Sequence, residues 1–153
     1  STLFPYTTLF RSIPVLIPEK YVSDLDVRLG LYRRIAELKS ADDTEAFAAE
    51  LIDRFGSLPG EVENLLQIVT IKRYCRAASV EKIDAGPKGA TLSFRNNNFE
   101  NPTGLMEFVT GDLGRSKLRP DHTIVVRRDW ARATDRLRGV RQLAEKLSSI
   151  ATA

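Results

Sequence analysis

Apolar positions recur first at helical spacing and later at the spacing of strands. From Asp24 to about Lys39, Leu25, Leu29, Tyr32 and Ala36 form one stripe, widened by Leu31, Ile35 and Leu38. This predicts a first helix with Ser23 as N-cap and the stripe, Tyr32 included, turned to a core. Ser40 to Asp43 is polar and interrupts the period. Asp42 and Glu45 have the spacing of a capping box, opening a second helix that runs to Phe55 and buries Phe47, Leu51 and Phe55. Gly56 stands where a left-handed residue ends a helix. Pro59 suits the first position of a third helix, marked by Val62, Leu65, Leu66 and Val69 and running to about Ala77.

The pattern then changes. Val80 to Ala85 and Ala90 to Phe94 read as strands joined by the turn Gly86-Pro87-Lys88-Gly89. Asn96 to Asn98 is loop. Asn101-Pro102 opens a short helix carrying Leu105, Met106, Phe108 and Val109 and stopping near Gly111. Lys117 to Arg119 and Thr123 to Arg127 read as two more strands turned at Pro120-Asp121. Asp129 is placed as the cap of a last amphipathic helix with Trp130, Ala133, Leu137, Val140, Ala144 and Leu147 on its apolar face. Three helices followed by β-β-α-β-β-α predict the α+β class, a small sheet packed against helices. Residues 23–153 form a single domain on this reading. Residues 13–22, with the proline-bracketed run Ile13 to Pro18, form an extended linker that packs across the surface or docks on a neighbour. No internal repeat or low-complexity tract interrupts the chain.

Composition narrows the class. Of 153 residues, 42% are apolar and 28% charged, as in a soluble globular domain. No apolar run approaches the roughly 18 residues of a membrane span, so no membrane association is expected. Cys75 is the only cysteine, which excludes an internal disulfide and reads as a buried, inert thiol of a reducing compartment. The net charge of +3 is too small to announce a nucleic-acid binder, but it is unevenly spread. Glu19 to Glu63 holds eleven acids against six bases, whereas Arg115 to Arg141 holds nine bases against three acids. Such polarity suits docking on a charged partner, and equally two solvated faces. Thr2 to Ser12 reads as the in-frame translation of a sequencing-adapter oligonucleotide. Residues 1–12 are therefore set aside as a scar, with the native chain expected to be truncated near Ile13.

Candidate chemistry is sparse. His122 and Cys75 lie far apart without ligand spacing, and Asp42, Asp43 and Glu45 open a helix, where acids cap and complement the dipole. Gly86 to Thr91 lacks the spacing of a phosphate loop and is followed by a strand. His122, beside a proline turn, has no evident nucleophile to serve. No catalytic residue, cofactor or metal site is predicted. Arg128, Arg132 and Arg136 fall at i, i+4 spacing, a basic patch open to three readings: a solvated face, a protein-docking face or a set of phosphate contacts.

Two phrases carry a resemblance. One is Ile17-Pro18-x-x-Tyr21-Val22-x-Asp24-x-x-x-Arg28-Leu29-x-Leu31-Tyr32-x-Arg34-Ile35-Ala36. The other is Glu50-Leu51-Ile52-Asp53-Arg54-Phe55-Gly56-x-Leu58-Pro59. Together they closely resemble the C-terminal domain of bacterial transcription-repair coupling factors (the TRCF, or Mfd, family). The resemblance implies a cytoplasmic, multi-domain, ATP-driven DNA translocase as parent. That parent displaces stalled RNA polymerase and recruits nucleotide excision repair. Its terminal domain, on the same resemblance, is a non-catalytic clamp. It packs on the N-terminal UvrB-like module, covers the surface that binds UvrA and restrains the motor.

Glu50 and Asp53 are three apart and so neighbours on the second helix, opposite Phe47, Leu51 and Phe55. Both carboxylates are expected to point outward together. By resemblance this segment faces basic side chains of the UvrB-like module, making Glu50, Asp53 and the adjoining Arg54 the candidate interface. The alternative is an internal ion pair: Asp53 with the helix neighbours of Arg54, or Glu50 with Arg54 at i, i+4. Arg28 and Tyr32 could line the same interface or serve packing. A nucleic-acid-binding module using the arginines of the last helix is the competing function.

Overall fold

The structure is a computed structural model that describes residues 13–153; the segment read as a scar lies outside the described residues. Helices α1 (Leu25–Ala36), α2 (Ala41–Phe55) and α3 (Gly60–Ala77) precede strands β1 (Val80–Gly86) and β2 (Gly89–Phe94). Then come α4 (Pro102–Gly111), β3 (Ser116–Leu118), β4 (Ile124–Arg127) and α5 (Ala133–Ala151). This is the predicted α+β order. The strands form one antiparallel sheet in the order β1-β2-β4-β3.

Two apolar clusters organise the chain. Leu31 and Ile35 of α1, Phe47 and Leu51 of α2, and Val62 and Leu66 of α3 make the first. The second joins Ile68, Ile71 and Cys75 of α3 to the inner face of the sheet, to Leu105 and Val109 of α4, and to the α5 stripe Leu137, Val140, Ala144 and Leu147. Helix α3 therefore belongs to both, which explains why its apolar residues are not confined to one face. Ile13 enters the second cluster, while Ile17 and Val22 enter the first, so residues 13–22 bridge the two.

Several local expectations are corrected. Helix α1 starts at Leu25 because Asp24, not Ser23, holds the extended cap conformation and accepts from the Val27 amide at 3.0 Å. Its buried residues are Leu31 and Ile35, while Leu25 (58% exposed), Leu29 and Tyr32 lie outward. Two stripes share the same period, and only the packing of α2 and α3 selects between them. Tyr32 stays at the rim, where its hydroxyl accepts from the Ile17 amide at 2.7 Å. Helix α2 is capped by Ser40, which accepts from the Asp43 amide, while the Asp43 carboxylate accepts from the Lys39 amide. The reciprocal pair is thus Ser40 and Asp43 rather than Asp42 and Glu45. Phe55 is half-buried. Pro59 is the N-cap of α3, one place earlier than expected.

The largest shift is at the last helix, which starts at Ala133 with Arg132 at its cap. Residues 128–130 are drawn off as extended chain. The Arg128 amide donates to the Lys88 carbonyl at 2.9 Å and the Trp130 amide to the Pro87 carbonyl at 2.8 Å. The predicted β1–β2 hairpin turn supplies both acceptors and so delays the helix. Trp130, 7% exposed, lies over Gly139; a Cβ there would fall 2.3 Å from the ring.

Gly139→Ala is therefore expected to displace the Trp130 ring and lower stability by about 1–3 kcal/mol, the usual cost of overpacking. Urea unfolding followed by Trp130 fluorescence measures this. Gly60→Ala, where a Cβ meets nothing within 4 Å, serves as the control.

Candidate docking surface

Contact between α1 and α2 builds a charged network. Arg34, near the end of α1, forks onto Glu50 of α2, with Nη1 donating to Oε2 at 2.6 Å and Nη2 to Oε1 at 2.7 Å. Arg54, one turn further along α2, donates from Nη1 to the same Oε2 at 2.9 Å. The Arg34 guanidinium lies 4.9 Å from the centre of the Phe47 ring, and Arg54 lies 4.8 Å from that of Phe55. Aromatic residues of α2 thus support both cations from beneath.

Glu50 keeps about a third of its side-chain surface exposed. Hydrogen bonds from Arg34, then Arg54, outweigh its partial desolvation and hold its carboxyl at about 2, against 4.5 for a free side chain. The internal ion pair of Glu50 with Arg54 is present, and Arg34 adds a second, stronger one. Only Asp53 meets the expectation of two outward carboxylates. It is exposed and makes no ion pair among the described residues, and its neighbour Ile52 is half exposed. Glu50 is instead turned toward α1.

The residue missed in the sequence is Arg34. It lies sixteen positions from Glu50, so no helical spacing could couple them; only the packing of α1 on α2 does. Other residues of the recognised phrases hold the chain entry. Arg28 donates to the carbonyls of Val22 at 2.8 Å and Ser23 at 3.1 Å. The Tyr21 hydroxyl donates toward the carbonyls of Leu51 and Gly56, at 3.1 and 2.7 Å. These contacts, like that of Tyr32, tie residues 17–23 to the helices, the packing alternative for Arg28 and Tyr32.

The three arginines do not all belong to the last helix: Arg136 lies in α5, Arg132 at its cap and Arg128 before it. Arg128 precedes α5 and forks onto Asp112, which is 8% exposed, with bonds of 2.9 and 3.1 Å. Arg115 and the Ser116 hydroxyl bind the same carboxylate. Burial pushes the Asp112 carboxyl up, but the bonds from Ser116 and Arg128 and the charges of Arg128 and Arg115 outweigh it, leaving it below its ordinary value. Arg136 donates to the Trp130 carbonyl at 3.0 Å. Arg132 is largely exposed, 3.6 Å from Asp135. The i, i+4 spacing relates Arg132 to Arg136, whose amide donates to the Arg132 carbonyl at 3.0 Å, but not Arg128, because the helix starts at Ala133.

Cys75 is buried among apolar side chains, and burial pushes its thiol up to about 12. His122 sits exposed in the β3–β4 turn with φ +69°. Among the described residues, no three His, Cys, Asp or Glu side chains are grouped to hold a metal, and no helix is long and apolar enough to cross a membrane.

Fold and surface define an α+β domain whose polar side-chain clusters are ion-pair networks. Residues 12–105 match the TRCF domain model, and the chain belongs to that family. It is 41% identical over 118 residues to the transcription-repair-coupling factor of Rickettsia bellii (strain RML369-C), a match covering 77% of this chain and 10% of that protein. With the transcription-repair-coupling factor of Escherichia coli (strain K12) it shares 29% identity over 141 residues, 92% of this chain and 12% of that one. The chain thus spans about a tenth of the length of these relatives. The crystal structure of the C-terminal domain of transcription-repair coupling factor has the same fold, with a TM-score of 0.69 at 22% identity, covering 92% of this chain and 90% of that one. Glu50, Asp53 and Arg54 lie within the family match; Arg128, Arg132 and Arg136 lie beyond it.

Two expectations follow. Asp112→Ala leaves the mostly buried Arg128 without its counter-charge and should cost about 2–3 kcal/mol in urea unfolding, somewhat less than a fully buried pair. The Glu50 carboxyl is depressed, so its stabilising contribution is complete above about 4.5 and is lost as pH falls toward about 2. Acid unfolding of Glu50→Gln should therefore have a shallower pH dependence than the parent over that window.

Proposed function

We propose that this chain is a non-catalytic interaction and regulatory domain of a transcription-repair coupling factor. It docks on the UvrB-like N-terminal module of its parent, masks the surface that takes UvrA and restrains the DNA translocase until RNA polymerase is engaged. Its place of action is the cytoplasm, with polymerase and DNA reached through the parent. The observation that carries this reading is Asp53, exposed and without an ion pair among the described residues, beside the Glu50 network on a surface inside the family match. A basic face of the partner module would find there one free carboxylate, a half-exposed isoleucine and a partly compensated carboxylate.

The energetics suit a releasable lock. Exposed ion pairs contribute only about 0–1 kcal/mol each. A few such pairs with modest apolar contact around Ile52 hold a closed state that a ligand preferring the open state can displace. The test is a calorimetric titration of the chain into the UvrB-like module of a related coupling factor at low and moderate salt. Binding should weaken with salt and disappear in the Glu50→Arg, Asp53→Arg double variant. Absence of binding at either salt would remove the docking mechanism.

A further inference from the structure

We propose that Arg34 and Arg54 are built-in competitors for the Glu50 carboxylate, holding this surface below its full affinity for a basic partner. The inference rests on the docking reading above and names the residues that regulate it.

Three of the hydrogen-bonding positions on Glu50 are already filled. Oε2 accepts from both arginines and Oε1 accepts from Arg34. A carboxylate has about four such positions, so one remains, on Oε1. The three groups together carry a net charge of +1. A cation approaching Glu50 therefore meets two guanidiniums within 3 Å of the carboxylate oxygens. Adding Asp53 brings the local sum to zero. These four groups are together neutral, while Glu37 and Asp43, which line the same cavity as Arg34 and Glu50, keep the wider face acidic.

Both competitors are placed to persist. Each rests on an aromatic ring of α2, and Arg34 bonds through a two-point fork that orients its guanidinium. Both remain nearly half exposed, at 47% and 43%, so a partner can reach them and solvent screens them. An incoming arginine or lysine must share Glu50 with them or displace one. Either course subtracts from the attraction that a bare Glu50–Asp53 pair would exert. Removing one of these cations takes the sum of the four groups to −1 and opens a position on the carboxylate. The effect is electrostatic and short-ranged, and salt diminishes it.

Calorimetry with the UvrB-like module of a related coupling factor tests this on the parent chain and on Arg34→Gln, Arg54→Gln and Arg33→Gln. Arg34→Gln and Arg54→Gln should each bind about three- to fivefold tighter at low salt, the scale of one exposed ion pair, with the gain shrinking at moderate salt. Arg33 is an exposed neighbour that does not bond Glu50. Its replacement alters the total charge equally and should change affinity by less than about twofold. Urea unfolding of each variant separates affinity from folding. Arg54→Gln, a substitution on the exposed side of α2, keeps the test available should Arg34→Gln disturb the α1–α2 contact. Equal or weaker binding by both Glu50-bonded variants would overturn the proposal, because the arginines would then be orienting Glu50 for its partner. Equal tightening by Arg33→Gln would also overturn it, in favour of total charge. If the parent chain itself does not bind, the docking reading fails and this inference falls with it.

Discussion

The seating of α3 between two apolar clusters is the constraint on which the architecture depends. Val62 and Ile71 of this helix have no exposed surface, yet Val62 packs with α1 and α2 and Ile71 with the sheet and α5. A helix whose apolar residues serve two separate clusters cannot lie against one of them alone. It is held between the helical half and the sheet half, with Glu63 and Arg76 left to solvent. Residues 13–22 reinforce the join, with Ile13 in one cluster and Ile17 and Val22 in the other. Arg28, Tyr21 and Tyr32 then use polar groups to hold that segment against the helices.

Two arginine-to-carboxylate forks repeat the same device with different consequences. Around Asp112 the fork is sheltered, and it joins the end of α4 to the start of β3 and to the strand-like segment before α5. Around Glu50 the fork is half exposed and joins α1 to α2. Desolvation makes the first a structural joint, since a lone charge left there would be costly. Water keeps the second adjustable, since solvent and partner charges compete with each bond. Surface position, not residue type, separates the joint from the docking surface.

The periods in the chain were sufficient for the element order, for the hairpin at Gly86 to Gly89, for the Asn101-Pro102 start of α4 and for the apolar faces of α2 and α5. These depend on neighbours within four residues or on turns of fixed chemistry, so local sequence carries them. The acidic segment of α2 was equally legible, because Glu50, Asp53 and Arg54 are near neighbours in the chain. What no local pattern held was the choice between the two stripes of α1, the late start of α5 and the fate of each charge. Leu25 and Leu29 share the period of Leu31 and Ile35, and only the position of α2 and α3 buries one pair and not the other. Trp130 lies ahead of the helix, where the hairpin carbonyls take the Arg128 amide and its own. Arg34 and Arg128 reach carboxylates sixteen residues away. The sequence by itself determined which segments are helix or strand, since backbone periodicity and turn chemistry are local. The tertiary structure alone decided which charges are spent within the domain and which remain for a partner, because ion pairing follows distance in space.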